Sequence, residues 1–131
     1  MFTGQDTEAR GALHKALAIG ERLTREHPKS AEVASMLGVT LHHLAGLEER
    51  RDWVEGRKTS RRGIALQKRA VALDPGNRVY PGHLHNQFVQ LGNLALRHGV
   101  PAEAAEAARD WAASLPGKPR DLYDAATLLF R

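Results

Sequence analysis

Helix-breaking residues fall at intervals that leave little choice of architecture. Pro28, Asp74-Pro75-Gly76-Asn77, Pro81-Gly82, Gly99-Val100-Pro101 and Pro116-Gly117-Lys118-Pro119 interrupt the chain. Proline has no N–H to give a helix or a sheet, and glycine adds chain entropy to any regular element, so such clusters read as turns. Between them, apolar residues recur at spacings of three and four, the period of an amphipathic helix. Alternating β-branched stretches, which would mark strands, are missing. The chain reads as all-α.

The spacing predicts six helices. The first runs from about Thr7 to Glu26, with Leu13, Ala16, Leu17, Gly20 and Leu23 on one stripe. Ser30 is placed to cap a second, which reaches Gly46 or beyond, because its hydroxyl can accept a first-turn N–H. Thr59 or Ser60 is read as opening a third, ended by Asp74-Pro75. A fourth spans about His83 to His98 and stops at Gly99. Pro101 suits the first position of a fifth, which ends before Pro116, and a sixth starts near Arg120.

Composition narrows the class further. Apolar residues are 42% of the 131, but aromatics only 5%, so Ala and Leu must do the packing. That favours closely stacked helices. There is no cysteine, hence no disulfide frame and no thiolate metal site. No stretch approaches the roughly 18 apolar residues of a membrane span. The first residues lack the basic-then-apolar layout of a secretion signal. A cytoplasmic protein without membrane contact is the expectation.

The helical segments also repeat. Phe88, Leu91-Gly92 and Ala95 are followed by Ala104, Ala108, Trp111 and Pro116, with 25 residues from Leu91 to Pro116. Ala34, Leu37-Gly38 and Leu41 echo the first half. Gly63, Gln67, Ala70 and Leu73-Asp74-Pro75-Gly76-Asn77 echo the second. Ala16, Gly20, Leu23 and Pro28 match a second half alone, and Leu122, Ala125-Ala126 and Leu129 a first half alone. A Gly on one helix and an Ala on the next let two backbones approach closely, while Leu and Trp fill the space beside them. On these residues the chain resembles the tetratricopeptide repeat family over nearly its whole length.

The resemblance implies an antiparallel helix-pair solenoid as a single domain. It comprises a half repeat over 7–28, an expanded repeat over 30–76, a regular repeat over 83–116 and a half repeat over 119–131. The expanded copy departs from the pattern, since Leu37 to Pro75 is 38 residues, and the surplus is the polar segment 47–58 with Trp53. That insertion either lengthens the two helices or protrudes as a loop. The long linkers also look like the arrays appended to bacterial serine/threonine kinases, although no Gly-rich loop or His-Arg-Asp motif is present.

In such a stack the first helices line a groove. Asn86, Gln90, Asn93 and Arg97 share one side of the fourth helix, opposite Phe88, Leu91, Gly92 and Ala95. Amides can pair with both N–H and C=O of an extended peptide, and an arginine with a carboxylate. The same side of the second helix carries Met36, Val39 and His43, with Glu32 and His42 beside them. Met36 and Val39 are either an apolar floor or are covered by the insertion. An ordinary solvated polar face is the competing reading for the amides. The family's carboxylate clamp needs a Lys where Val89 stands, four before Asn93, so that use is not expected.

Little nominates chemistry. His42-His43 and His83/His85 lack the four-residue spacing that puts two metal ligands on one helix face. No phosphate loop or nucleophile elbow is present. The expectation is therefore a non-catalytic module with no cofactor and no metal, binding a peptide or partner protein in that groove. The alternative is a nucleic-acid-binding helical domain using the basic segment 50–62, with Arg50, Arg51, Arg57, Lys58, Arg61 and Arg62. Interspersed acids argue against it. Trp111 is expected in the core, and Trp53 is either a local anchor or an exposed contact. The apolar end Leu128-Leu129-Phe130 is a candidate edge for self-association.

Overall fold

A computed structural model describes residues 4–114. These form five helices and no strand: α1 (Gly4–Glu26), α2 (Ala31–Glu49), α3 (Trp53–Leu73), α4 (Val79–Arg97) and α5 (Pro101–Ala113). The sixth helix, the half repeat over 119–131 and the Leu128-Leu129-Phe130 edge lie outside the described residues. No described helix is long and apolar enough to cross a membrane.

The helix ends follow from local chemistry. Ser30 adopts extended backbone and its Oγ accepts from Val33 N at 3.2 Å, as the capping reading requires. Past α4, Gly99 takes φ +73°, a conformation open to glycine at little steric cost. There Val100 N donates to Ala95 O at 2.9 Å, closing the helix with a reversed turn. Pro101 opens α5 as expected.

Two starts differ from the sequence reading. Helix α3 opens at Trp53, not at Thr59 or Ser60, because Asp52 Oδ1 accepts from both Val54 N (3.1 Å) and Glu55 N (3.4 Å). Thr59 instead donates its hydroxyl to Glu48 Oε2 at 2.6 Å, and Ser60 is buried. Segment 47–58 thus lengthens both helices around a turn of three residues, 50–52. Helix α4 begins at Val79, with Asn77 Oδ1 accepting from Val79 N at 2.9 Å. Pro81-Gly82 is therefore inside the first turn rather than a break, a place where proline's missing N–H costs nothing.

Successive helices are antiparallel, as connections of four, three, five and three residues demand. The contacts show the sense: Gly20 and Asp6 of α1 meet Leu37 and Arg50 of α2, one number rising as the other falls. Alternate helices are parallel. His42 and Glu49 of α2 meet Gln90 and Arg97 of α4, both 48 residues on. Glu21 and Pro28 meet Arg62 and Arg69 of α3, each 41 on. Arg61 and Lys68 meet Glu103 and Asp110 of α5, each 42 on. The odd helices make one layer and the even helices the other.

Packing differs between the pairs. Helices α2 and α3 approach most closely, because Gly38 and Gly63 face each other: a Cβ on Gly63 would lie 3.0 Å from Gly38 O. Gly56 sits equally close to the backbone of Ala45 and Glu49. Between α3, α4 and α5 the core is Ile64, Leu84, Phe88, Leu91, Ala107, Ala108 and Trp111, which includes the tryptophan expected there. A buried polar thread joins three helices, with Gln67 Nε2 donating to Ser35 Oγ (3.0 Å) and Gln87 Nε2 to Gln67 Oε1 (3.4 Å). Pairing of these buried donors favours one register of the helices, although Gln87 Oε1 has no partner among the described residues.

Candidate partner-binding face

Of the stripe expected on α4, Gln90 and Arg97 turn toward α2. Gln90 Nε2 donates to the carbonyl of His42 at 2.7 Å. That leaves Gln90 Oε1 facing His42 Nδ1 at 3.0 Å, so Nδ1 carries the proton of the neutral ring. Burial is the first cause lowering the His42 pKa below 6.5, and the neighbouring His43 and His83 add to it, while the Gln90 bond opposes. Neutral His42 is the form that suits this seam.

Seven residues along α4, Arg97 is engaged as well. Its Nε and Nη2 donate to the two oxygens of Glu49 at 2.9 and 2.7 Å, a two-pronged pair. His98 Nε2 lies 3.0 Å from the same carboxylate. The Glu49 pKa is lowered, first by the Arg97 hydrogen bond and then by His98, against an opposing contribution from burial. Arg97 is raised by the same bond.

Of the four α4 residues, Gln90 and Arg97 therefore hold the seam between the even helices. Asn86 is exposed and Asn93 half-buried, and neither hydrogen-bonds within the described residues. On α2, Met36 is 41% exposed, His43 is exposed and Val39 half-buried. The lengthened α2 and α3 leave Met36 uncovered. What remains open is a strip of apolar Met36 and Val39 with His43, Asn86 and Asn93, bordered at its start by exposed Glu32. Glu49 and His42 were not singled out as partners from the sequence. Their i+48 relation is a property of the stacking, and no local pattern signals it.

Trp53 is an anchor. Its ring stacks on His98 at 4.9 Å and 6°, with the Arg57 guanidinium 5.1 Å from its centroid. Arg57 and Arg61 both donate to Glu103 on α5. The insertion thus clamps the starts of α3 and α5 to the end of α4.

That arrangement also occupies the basic segment. Arg50 pairs with Asp6, Lys58 with Glu55, and Arg62 with Glu21. Among the described cations of 50–62, Arg51 alone has no carboxylate within pairing distance. No three His, Asp or Glu side chains among the described residues converge in a way that could hold a metal ion. Comparison of the chain with protein-family models, with curated proteins and with solved structures finds no match.

Proposed function

We propose that the chain is a non-catalytic protein-interaction module of tetratricopeptide-like architecture, holding a partner segment against the strip of Met36, Val39, His43, Asn86 and Asn93. The observation that carries the reading is the open strip on the even layer, where Met36, a large apolar side chain, is 41% exposed on the same layer as the unpaired amides of Asn86 and Asn93. Apolar area with polar groups able to pair with a peptide backbone is what a peptide site requires. The alternation of antiparallel neighbours and parallel next-neighbours is the order of stacked helix pairs. Its offsets of 41 to 48 residues exceed the 34 of the family repeat, and the lengthened ends of α2 and α3 account for part of the excess. The internal pairing of segment 50–62 weighs against a nucleic-acid footprint, which needs unpaired cations for phosphate.

A random-peptide phage library panned on the whole chain tests this. Peptides enriched on the wild type should lose about tenfold or more in affinity on Met36→Glu, an interface-centre loss of at least 1.4 kcal/mol. The same peptides should bind Arg51→Ala unchanged. Enriched peptides that bind Met36→Glu as well as the wild type would overturn the proposed face.

A further inference from the structure

The odd layer carries a second, chemically different cleft. Between α1 and α3 lies an opening of about 660 Å³ floored by Leu37 and Leu66 and edged by Glu21, Arg25, Arg62 and Arg69. Its size is that of a ligand pocket. A smaller opening of about 360 Å³ separates α3 from α5, edged by Arg61, Lys68, Glu103, Glu106 and Asp110.

The two clefts differ in how their cations are met. Between α3 and α5 the acids answer the bases: Arg61 pairs with Glu103 and Lys68 with Asp110. Those acids form a stripe at spacings of three and four on one helix face, with Ala107 of that same face buried in the core. Between α1 and α3 only Glu21 is acidic, and it pairs with Arg62. Arg69 donates to the carbonyl of Pro28, a neutral acceptor. Arg25 is exposed and has no partner among the described residues. Two arginines therefore border an apolar floor unpaired with a carboxylate, the cleft's one acid, Glu21, being engaged by Arg62.

We infer that the α1/α3 cleft docks an acidic helical segment of a partner protein. Its chemistry follows from where the two cations stand: at the 41-residue offset Arg25 lies level with residue 66, three before Arg69, so two carboxylates three to four residues apart on one helix face answer both, with an apolar side chain between them to cover Leu37 and Leu66. Guanidinium groups favour such carboxylates because each can take two parallel bonds. The site lies on the opposite layer from the Met36 strip and stands or falls independently of it.

The test uses the whole chain and a labelled, Ala-rich synthetic helix with two Glu residues four apart flanking one Leu, beside its Gln counterpart. Fluorescence anisotropy at low salt should show the Glu peptide binding roughly tenfold more tightly than the Gln peptide. Arg25→Glu and Arg69→Gln should each remove that preference, while Lys58→Gln should keep it. Both arginines are exposed, and unchanged helical circular dichroism in the variants confirms that folding is intact. Equal binding of the two peptides overturns the inference. So does a preference that survives both arginine variants. Tighter binding of a single-stranded oligonucleotide through the same arginines also overturns it, in favour of a phosphate site.

Discussion

Replacing Gly63 by alanine tests the close approach of α2 and α3, and its outcome is set by two opposed quantities. In the middle of a helix, alanine is favoured over glycine by about 0.8–1.0 kcal/mol. At Gly63 the added Cβ would stand 3.0 Å from Gly38 O and 3.2 Å from Leu41 Cβ. Carbon contacts settle near 3.5–4.0 Å, so the helices must part by roughly half an ångström along a seam held elsewhere by Gly56 and the Gln67 thread. Overpacking of this kind costs about 1–3 kcal/mol. Net destabilisation of about 0–2 kcal/mol follows. Gly11 provides the reference, since it is exposed in mid-α1 with nothing within 4 Å of an added Cβ. Gly11→Ala should therefore stabilise by about 1 kcal/mol. Urea unfolding followed by helical circular dichroism measures both, and their difference isolates the contact at about 1–3 kcal/mol. Gly38→Ala with Gly63→Ala should cost less than the two singly, because the first separation makes room for the second methyl. If Gly63→Ala gains as much stability as Gly11→Ala, the reasoning about the α2/α3 seam is refuted.

Other perturbations follow from the caps and the even-layer seam. Asp52→Ala removes the acceptor for two N–H groups and should lower stability by about 1 kcal/mol in the same unfolding assay. Glu49→Gln loses the charge of the Arg97 pair, whose arginine is 55% exposed, so about 1 kcal/mol is expected after solvent screening. Because the folded Glu49 pKa lies below 4.5, its contribution is present above that value and disappears as pH falls through the folded value. Acid titration of stability should be correspondingly shallower in Glu49→Gln. His42 has a folded pKa below 6.5, so the unfolded chain takes up its proton first, and stability falls as pH drops from about 6.5 toward the folded value. Stability measured between pH 7.5 and 5.5 should decline less in His42→Gln than in the wild type.

Local chemistry was legible where a single residue decides the outcome. Ser30, Gly99 and Pro101 mark helix ends because each satisfies or removes a particular backbone group, a property independent of the rest of the fold. The start of α3 was harder to see. Thr59 and Ser60 resemble caps, and Asp52 with Glu55 three residues later lies in a run of charges that hides the signal. Pro81 misled for the opposite reason: as a breaker it would end a helix, yet in a first turn it breaks no hydrogen bond. The stripe of Asn86, Gln90, Asn93 and Arg97 followed from helical geometry, and it does lie on one side of α4. Which neighbour that side faces depends on how α2 and α4 slide past each other, and groups such as buried Gln67 and half-buried Glu49 settle that only once the chain is folded.

The two layers also differ mechanically. Even helices touch directly and are locked by a two-pronged ion pair and a Gln–His couple, whereas α1 and α3 are bridged by the flexible ends of Arg62 and Arg69. Tension along the stack therefore meets a stiff margin on one side and an extensible one on the other. Under load the opening expected first is the α1/α3 margin, with the even edge acting as a spine.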